Sequence, residues 1–148
     1  MIRDIPTVDD EKNRLFLQQP CAPADIMSAE FDMLVVDLMD TAEHNRYRCA
    51  GLSANQIGHA VTVFAMRYGD RFIVIANPVI ASASKLTTSS TEGCLSIPNS
   101  PPQTVERYKW VRLQYWCPHT ERFVTNKFAR MDAIIVQHEM DHGKGILI

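Results

Sequence analysis

His138-Glu139-Met140-Asp141-His142 is the stretch on which the reading of this chain turns. On an α-helix, residues four apart lie on one face, so His138 and His142 can direct two imidazoles at one metal ion. Glu139 follows the first of them, where its carboxylate can reach a water on that ion. This H-E-x-x-H pattern places two ligands and a general base on one helical turn. Met131, Ile134, Ile135, His138 and His142 recur at helical spacing. That spacing predicts a helix over residues 128–142 whose apolar, buried face carries both histidines. The plainer alternative, two core histidines bonded to backbone, leaves the glutamate between them unexplained.

A catalytic metal ion takes three protein ligands and keeps one position open. Only Gly143-Lys144-Gly145-Ile146-Leu147-Ile148 follows His142, and it holds no ordinary ligand. The third ligand is therefore expected upstream.

Working outward, the 148 residues suffice for a single catalytic domain, 1–148, with a real core. A net charge of −2 offers no basic excess for nucleic acid. No apolar run approaches the length of a membrane span, and the N-terminus lacks a signal peptide's apolar core. The expected location is the cytoplasm. Four cysteines without an export signal argue for free thiols.

Residues 1–24, with Pro6, Pro20 and Pro23, are expected to be irregular and to wrap the surface. Met27, Phe31, Leu34, Val35, Leu38 and Ala42 then predict one long amphipathic helix over 25–45. Cys49 to Gly58 is rich in small residues and suits close backbone approach. Strands are expected at 61–66 and 71–75 around a Tyr68-Gly69-Asp70 turn, the second ending at Asn77-Pro78, with a third over 79–83. Residues 86–91 and 99–103 read as loops. Residues 111–116 and 122–124 read as a hairpin around Pro118-His119-Thr120. The fold class is α+β: a long N-terminal helix, mainly antiparallel strands and a C-terminal metal-binding helix. Ile146-Leu147-Ile148 is apolar enough to dock as a last short strand or against the core.

A soft thiolate suits zinc or ferrous iron as the third ligand. Cys94, next to Gly93, stands modestly ahead of Cys117, which has His119 two residues on. Cys21 and Cys49 are further candidates, and a buried free cysteine is most often a small core hydrophobe.

Three stretches in order, Gly51-Leu52-Ser53-Ala54-Asn55-Gln56, Glu92-Gly93-Cys94-Leu95-Ser96 and His138-Glu139-Met140-Asp141-His142, resemble the signature motifs of peptide deformylases. The last two match at every signature position. In the first, Cys49 stands for a glycine and Ser53 for an alanine. The resemblance implies Cys94, His138 and His142 as ligands of one divalent metal ion, ferrous iron in cells, with zinc, nickel or cobalt tolerated. It implies Glu139 as the acid-base, and Gln56 with the Leu95 N–H as donors to the developing oxyanion. Ala50, Gly51, Met131, Ile134 and Ile135 would line the pocket for a methionine side chain. Taken from the residues alone, Gln56 reads as a loop amide and Glu92 as a solvated charge at a strand end.

The implied reaction is hydrolysis of the formyl group from N-formylmethionine at the start of newly made polypeptides, releasing formate. The implied partners are nascent chains, with transient proximity to the ribosome; no nucleic acid or membrane contact is expected, and the enzyme is expected to be a monomer. Three departures stand out. Ser100-Pro101-Pro102 occupies the region where family members commonly carry an arginine. His142-Gly143-Lys144-Gly145 replaces the familiar H-L-x-G. The chain also reads as a shortened member, active without a further C-terminal helix. Two competing readings are a metallopeptidase, and a non-catalytic domain in which Cys117 joins Cys94 and both histidines in a closed zinc site.

Overall fold

The computed structural model describes residues 1–148. The long helix expected from apolar spacing is present, α2 in chain order, at Ala29–His44. It begins later than Asp25 because Ser28 caps it, its Oγ accepting the Phe31 N–H at 3.1 Å. Met27 therefore precedes the helix and is exposed rather than part of the core. A shorter helix, α1 (Glu11–Leu17), comes first, inside the stretch expected to be irregular. It buries little beyond Leu17, too little for a periodic signal, and starts where Asp10 accepts the Lys12 N–H. The arm around it is pinned, not merely wrapped. Val8 N–H donates to Ser96 O at 2.9 Å and Cys21 N–H to Gly143 O at 2.8 Å.

Seven strands follow: β1 (Gly51–Ser53), β2 (Val63–Tyr68), β3 (Arg71–Ala83), β4 (Thr87–Glu92), β5 (Gln103–Tyr108), β6 (Trp110–Cys117) and β7 (Arg122–Ala129). Five form an antiparallel sheet in the order β1-β2-β3-β6-β7, and β4 pairs with β5 apart from it. The expected β2–β3 turn closes on the pair Tyr68↔Arg71, with Gly69 at φ 69°.

Two strand expectations need correction. β3 does not end at Asn77-Pro78. Proline has no N–H for the ladder, and the register with β6 shifts between Ala76 and Val79 to absorb it. Asn77, at φ 51°, exchanges side-chain hydrogen bonds with the backbone of Ala24 across this irregularity. Residues 87–91, expected as loop, belong to β4. This strand is polar along its length, so it lacks apolar alternation. Hydroxyls of Thr87 and Ser89 instead donate to Glu106 across the hairpin, at 2.8 and 2.5 Å.

The period of two along β2 and β3 buries both faces of the sheet. Val63, Ala65, Phe72, Val74 and Ala76 meet Phe31, Leu34, Leu38 and Ala42 of α2. Phe64, Met66 and Ile75 face the other way, toward Val111, Leu113, Phe128 and Val136. Val136 belongs to α3 (Met131–Gly143), the helix carrying the histidine motif. It starts after Phe128, which stays on β7, and Arg130 at φ 56° makes the turn between them. Gln137 docks α3 on β5: its Oε1 accepts the Tyr108 N–H at 2.8 Å and its Nε2 donates to Tyr108 O at 3.0 Å.

The buried side of α3 is Ala133, Val136, Gln137, Glu139 and His142, whereas Met131 is 63% exposed. The expectation that Met131 shares a buried face with the histidines is thus wrong. After α3, Gly145 at φ 77° passes close to the N-terminal arm. A Cβ there would stand 2.2 Å from Gln18 O, so only glycine fits. Residues 146–148 follow without forming a strand. No helix is long and apolar enough to cross a membrane.

Candidate active site

α3 and the turn after β4 bring Cys94, His138 and His142 together, with one ligand atom of each within 4.8 Å of the others. Sγ of Cys94 lies 3.5 Å from Nε2 of His142. Two ligands on a tetrahedral ion with a metal–sulfur bond of 2.3 Å and a metal–nitrogen bond of about 2.05 Å stand roughly 3.6 Å apart. The spacing and donor set therefore fit a thiolate- and imidazole-binding metal ion. Cys117 is elsewhere, packed against the second core cluster. His119 accepts the Val74 N–H, so that pair builds no closed site with Cys94. All four cysteines are free.

His138 is oriented from behind. Its Nδ1 lies 2.7 Å from Oε1 of Glu92, leaving Nε2 for the cluster. Glu92 is not a solvated strand-end charge but a buried one, gripped in turn by Arg107. The guanidinium donates through Nε and one terminal nitrogen to both Glu92 oxygens, at 2.9 and 2.7 Å. Its other nitrogen donates to Asp141 of α3 at 2.6 Å. The β4–β5 hairpin brings the pair together, since Glu92 and Arg107 project from the same face of its ladder.

Charge follows from these contacts. Burial opposes ionisation of Glu92, but hydrogen bonds from Arg107, His138 and Ser90 outweigh it and bring its carboxyl to about 2. Burial likewise disfavours a charged His138, yet Cys94, Glu92 and Glu139 hold a proton on it up to about 10 in the metal-free protein. His142 is pushed down to about 3 by burial and by the His138 charge. Its Nδ1 is buried without a partner. Burial, helped by the Glu92 charge and opposed by that of His138, lifts Glu139 to about 7, with Oε2 also unpartnered. A proton exchanger working near neutral pH needs such a value.

Gln56 sits in a short 3₁₀ turn, Ala54–Ile57, after β1. The Ser53 N–H donates to its Oε1 at 3.0 Å, which fixes the amide so that Nε2 faces the cluster. Nε2 donates to Ser96 Oγ at 3.1 Å and to Cys94 Sγ at 3.3 Å. Leu95 lines the same pocket, and its N–H has no backbone acceptor. The pocket is a cavity of about 450 Å³. Ala50, Gly51, Met131, Ile134 and Ile135, the expected lining, all border it, and Met131 stands at its exposed rim. Cys49 is there too, its thiol pushed up to about 11 by burial and by Glu139.

A buried glutamate beside a three-donor cluster, at a pocket of mixed polar and apolar lining, is an arrangement that can serve hydrolysis. The description of one whole family, polypeptide deformylase, matches residues 2–148. The chain belongs to the polypeptide deformylase family. A peptide deformylase of Clostridium beijerinckii is 34% identical over 141 residues, covering 93% of this chain and 96% of the relative. One from Caulobacter vibrioides is 34% identical over 155 residues, covering 99% and 85%. A crystal structure of peptide deformylase from Thermotoga maritima superposes with a TM-score of 0.85 at 26% identity, covering 99% of this chain and 95% of that one. A class I type b peptide deformylase from Acinetobacter baumannii, bound to Met-Ala-Ser, gives 0.82 at 26% identity, covering 99% and 96%.

Arg107, Asp141 and Ser96 are the site residues that sequence reasoning missed. Arg107 carried a signal, since Val105-Glu106-Arg107 resembles the V-P-R of deformylases shifted by one residue, but that resemblance assigned it no role at the metal cluster. Asp141, inside the motif's variable positions, carried none.

Proposed function

We propose that this deformylase-family protein removes the formyl group from N-formylmethionine at the start of newly made polypeptides, releasing formate and a free amino terminus. The observation that carries the reading is the convergence of Cys94, His138 and His142 beside one pocket, which Cys94, His138 and buried Glu139 line. In it, Cys94, His138 and His142 hold one divalent metal ion. When bound, such an ion supplies Lewis acidity, making water nucleophilic near neutral pH and polarising a carbonyl. Thiolate and imidazole donors suit ferrous iron, our choice in cells, and also zinc, nickel or cobalt.

Glu139 takes a proton from the attacking water as its oxygen bonds to the formyl carbon. Negative charge then grows on the formyl oxygen, where Gln56 Nε2 and the Leu95 N–H donate. Glu139 returns the proton to the peptide nitrogen as the carbon–nitrogen bond breaks. The methionine side chain rests on Ala50, Gly51, Ile134 and Ile135, with Met131 over the opening. The reading treats residues 1–148 as one catalytic domain acting as a cytoplasmic monomer, in transient proximity to ribosomes. A net charge of −2 supports peptide, not nucleic acid, as the partner.

The test is formate release from formyl-Met-Ala-Ser by metal-loaded protein, with metal content measured on the same sample. Formate should appear, and no new amine from unformylated Met-Ala-Ser. New amine from the unformylated peptide, without formate from the other, would make the protein a peptidase instead.

A further inference from the structure

The active-site pocket does not end at the cluster. Arg48 and Leu95 line both it and a second cleft of about 310 Å³. The far walls of that cleft are the N-terminal arm, including Arg3 and Asp4, and the end of α2, including His44 and Asn45. The two clefts therefore adjoin at Arg48 and Leu95.

Three basic residues border the second cleft, Arg3, His44 and Arg48, against one carboxylate, Asp4. Arg3 is committed, its Nε and a terminal nitrogen lying 2.8 and 2.7 Å from Asp37. The neighbouring Arg46 is committed to Glu43. On the first pocket's floor Glu92 is paired with Arg107, and Glu139 is buried. Arg48 is exposed and has no carboxylate partner, so its guanidinium is the uncommitted charge where the clefts meet. Its backbone is held firmly, with the N–H groups of Arg48 and Cys49 donating to Asn45 O at 2.8 and 3.0 Å.

We propose that Arg48, where the two clefts meet, selects substrates with an Asp or Glu side chain at the third to fifth positions. The inference rests on the deformylase reading. Extended chain advances roughly 3.4 Å per residue. Side chains three to five thus fall about 7 to 14 Å past the methionine, the scale of a cleft adjoining the first. A guanidinium at a solvent-open edge discriminates modestly. An exposed ion pair changes affinity by roughly two- to fivefold and is screened by salt.

The test uses the metal-loaded enzyme and C-terminally amidated formyl-Met-Ala pentapeptides with Glu, Gln or Lys at position three, four or five. Competition for formate release gives kcat/KM ratios. Glu should exceed Lys by about three- to fivefold at one or more positions, and the ratio should fall toward one at high salt. Arg48→Gln should flatten the preference and Arg48→Glu should turn it toward Lys. Both are ratios within one variant and do not depend on how much active enzyme is recovered. Equal rates for Glu and Lys at all three positions would overturn the inference, as would a Glu preference that survives Arg48→Glu. So would a preference seen only for a free C-terminal carboxylate on a neutral peptide, since the cleft would then read a chain end. Absence of formate from every peptide would bring down the deformylase reading itself and this inference with it.

Discussion

A Cβ placed on Gly51 would stand 2.7 Å from Oε1 of Glu139 and 2.9 Å from its Cγ. The glycine of β1 and the carboxylate of α3 therefore occupy one shared space. Gly51 is needed not for an unusual φ but because the buried Glu139 side chain lies against its backbone. Gly51→Ala should push Glu139 off its position while leaving Cys94, His138 and His142 able to bind metal. The expected loss in formate-release rate is on the order of 10²-fold, the lower end of what a misplaced general acid-base forfeits. Glu139→Gln should lose at least as much. Metal content per chain should stay near one for both. A Gly51→Ala protein that works at the parent rate would detach this contact from catalysis.

Cys94 and Cys117 should separate cleanly in metal analysis. Cys94 sits 3.5 Å from the His142 ring, whereas Cys117 packs beside the second core cluster. Cys94→Ala should abolish stoichiometric metal and activity. Cys117→Ala should keep both and lose about 1 kcal/mol of stability, as expected for a half-buried side chain trimmed in a core. Metal lost from the Cys117 variant and kept by the Cys94 variant would reverse the ligand assignment.

The sequence made some of this site legible for physical reasons. His138, Glu139 and His142 are local, fixed by the pitch of one helix, so spacing alone places them. The buried face of α2 was legible for the same reason. Glu92, Arg107 and Asp141 are not local: their contacts span 15, 34 and 46 residues and exist only once β4 pairs with β5. That pairing was hidden because β4 is polar on both faces. Met131 misled because α3 has two apolar sides. Val136 and Met140 turn to the sheet while Met131 and Ile134 border the pocket, and periodicity does not tell a core from a cavity wall.

Metal binding should be linked to protons. In the metal-free protein His138 holds its proton up to about 10, but a ligating imidazole must be neutral. Loading at pH 7 should therefore release at least one proton, and affinity should rise as pH rises toward 10. Calorimetric titrations in buffers of different ionisation enthalpy measure the release directly. The sign for folding is the opposite. The folded pKa is raised above the unfolded value of 6.5, so this group's stabilisation of metal-free protein is full below pH 6.5 and disappears as pH climbs through about 10. Zero proton release at pH 7 would mean that His138 is already neutral before metal arrives.

The support behind His138 should matter to the metal almost as much as a ligand. Glu92 accepts from His138 and from two nitrogens of Arg107, and Arg107 reaches Asp141 one residue before His142. The chain of contacts thus ties both histidines of α3 to one hairpin. Glu92→Gln removes the negative charge that orients His138 and leaves Arg107 with Asp141 alone. Metal affinity should fall about 10- to 100-fold, the usual effect of losing a partner that orients a ligand. Arg107→Lys keeps the charge but cannot make three directed hydrogen bonds at once, because an ammonium lacks the planar fork. It should therefore weaken metal binding in the same direction, by a smaller factor. Chelator competition on folded protein measures both. Affinity unchanged in Glu92→Gln would show that α3 alone orients its histidines and that the hairpin serves some other end.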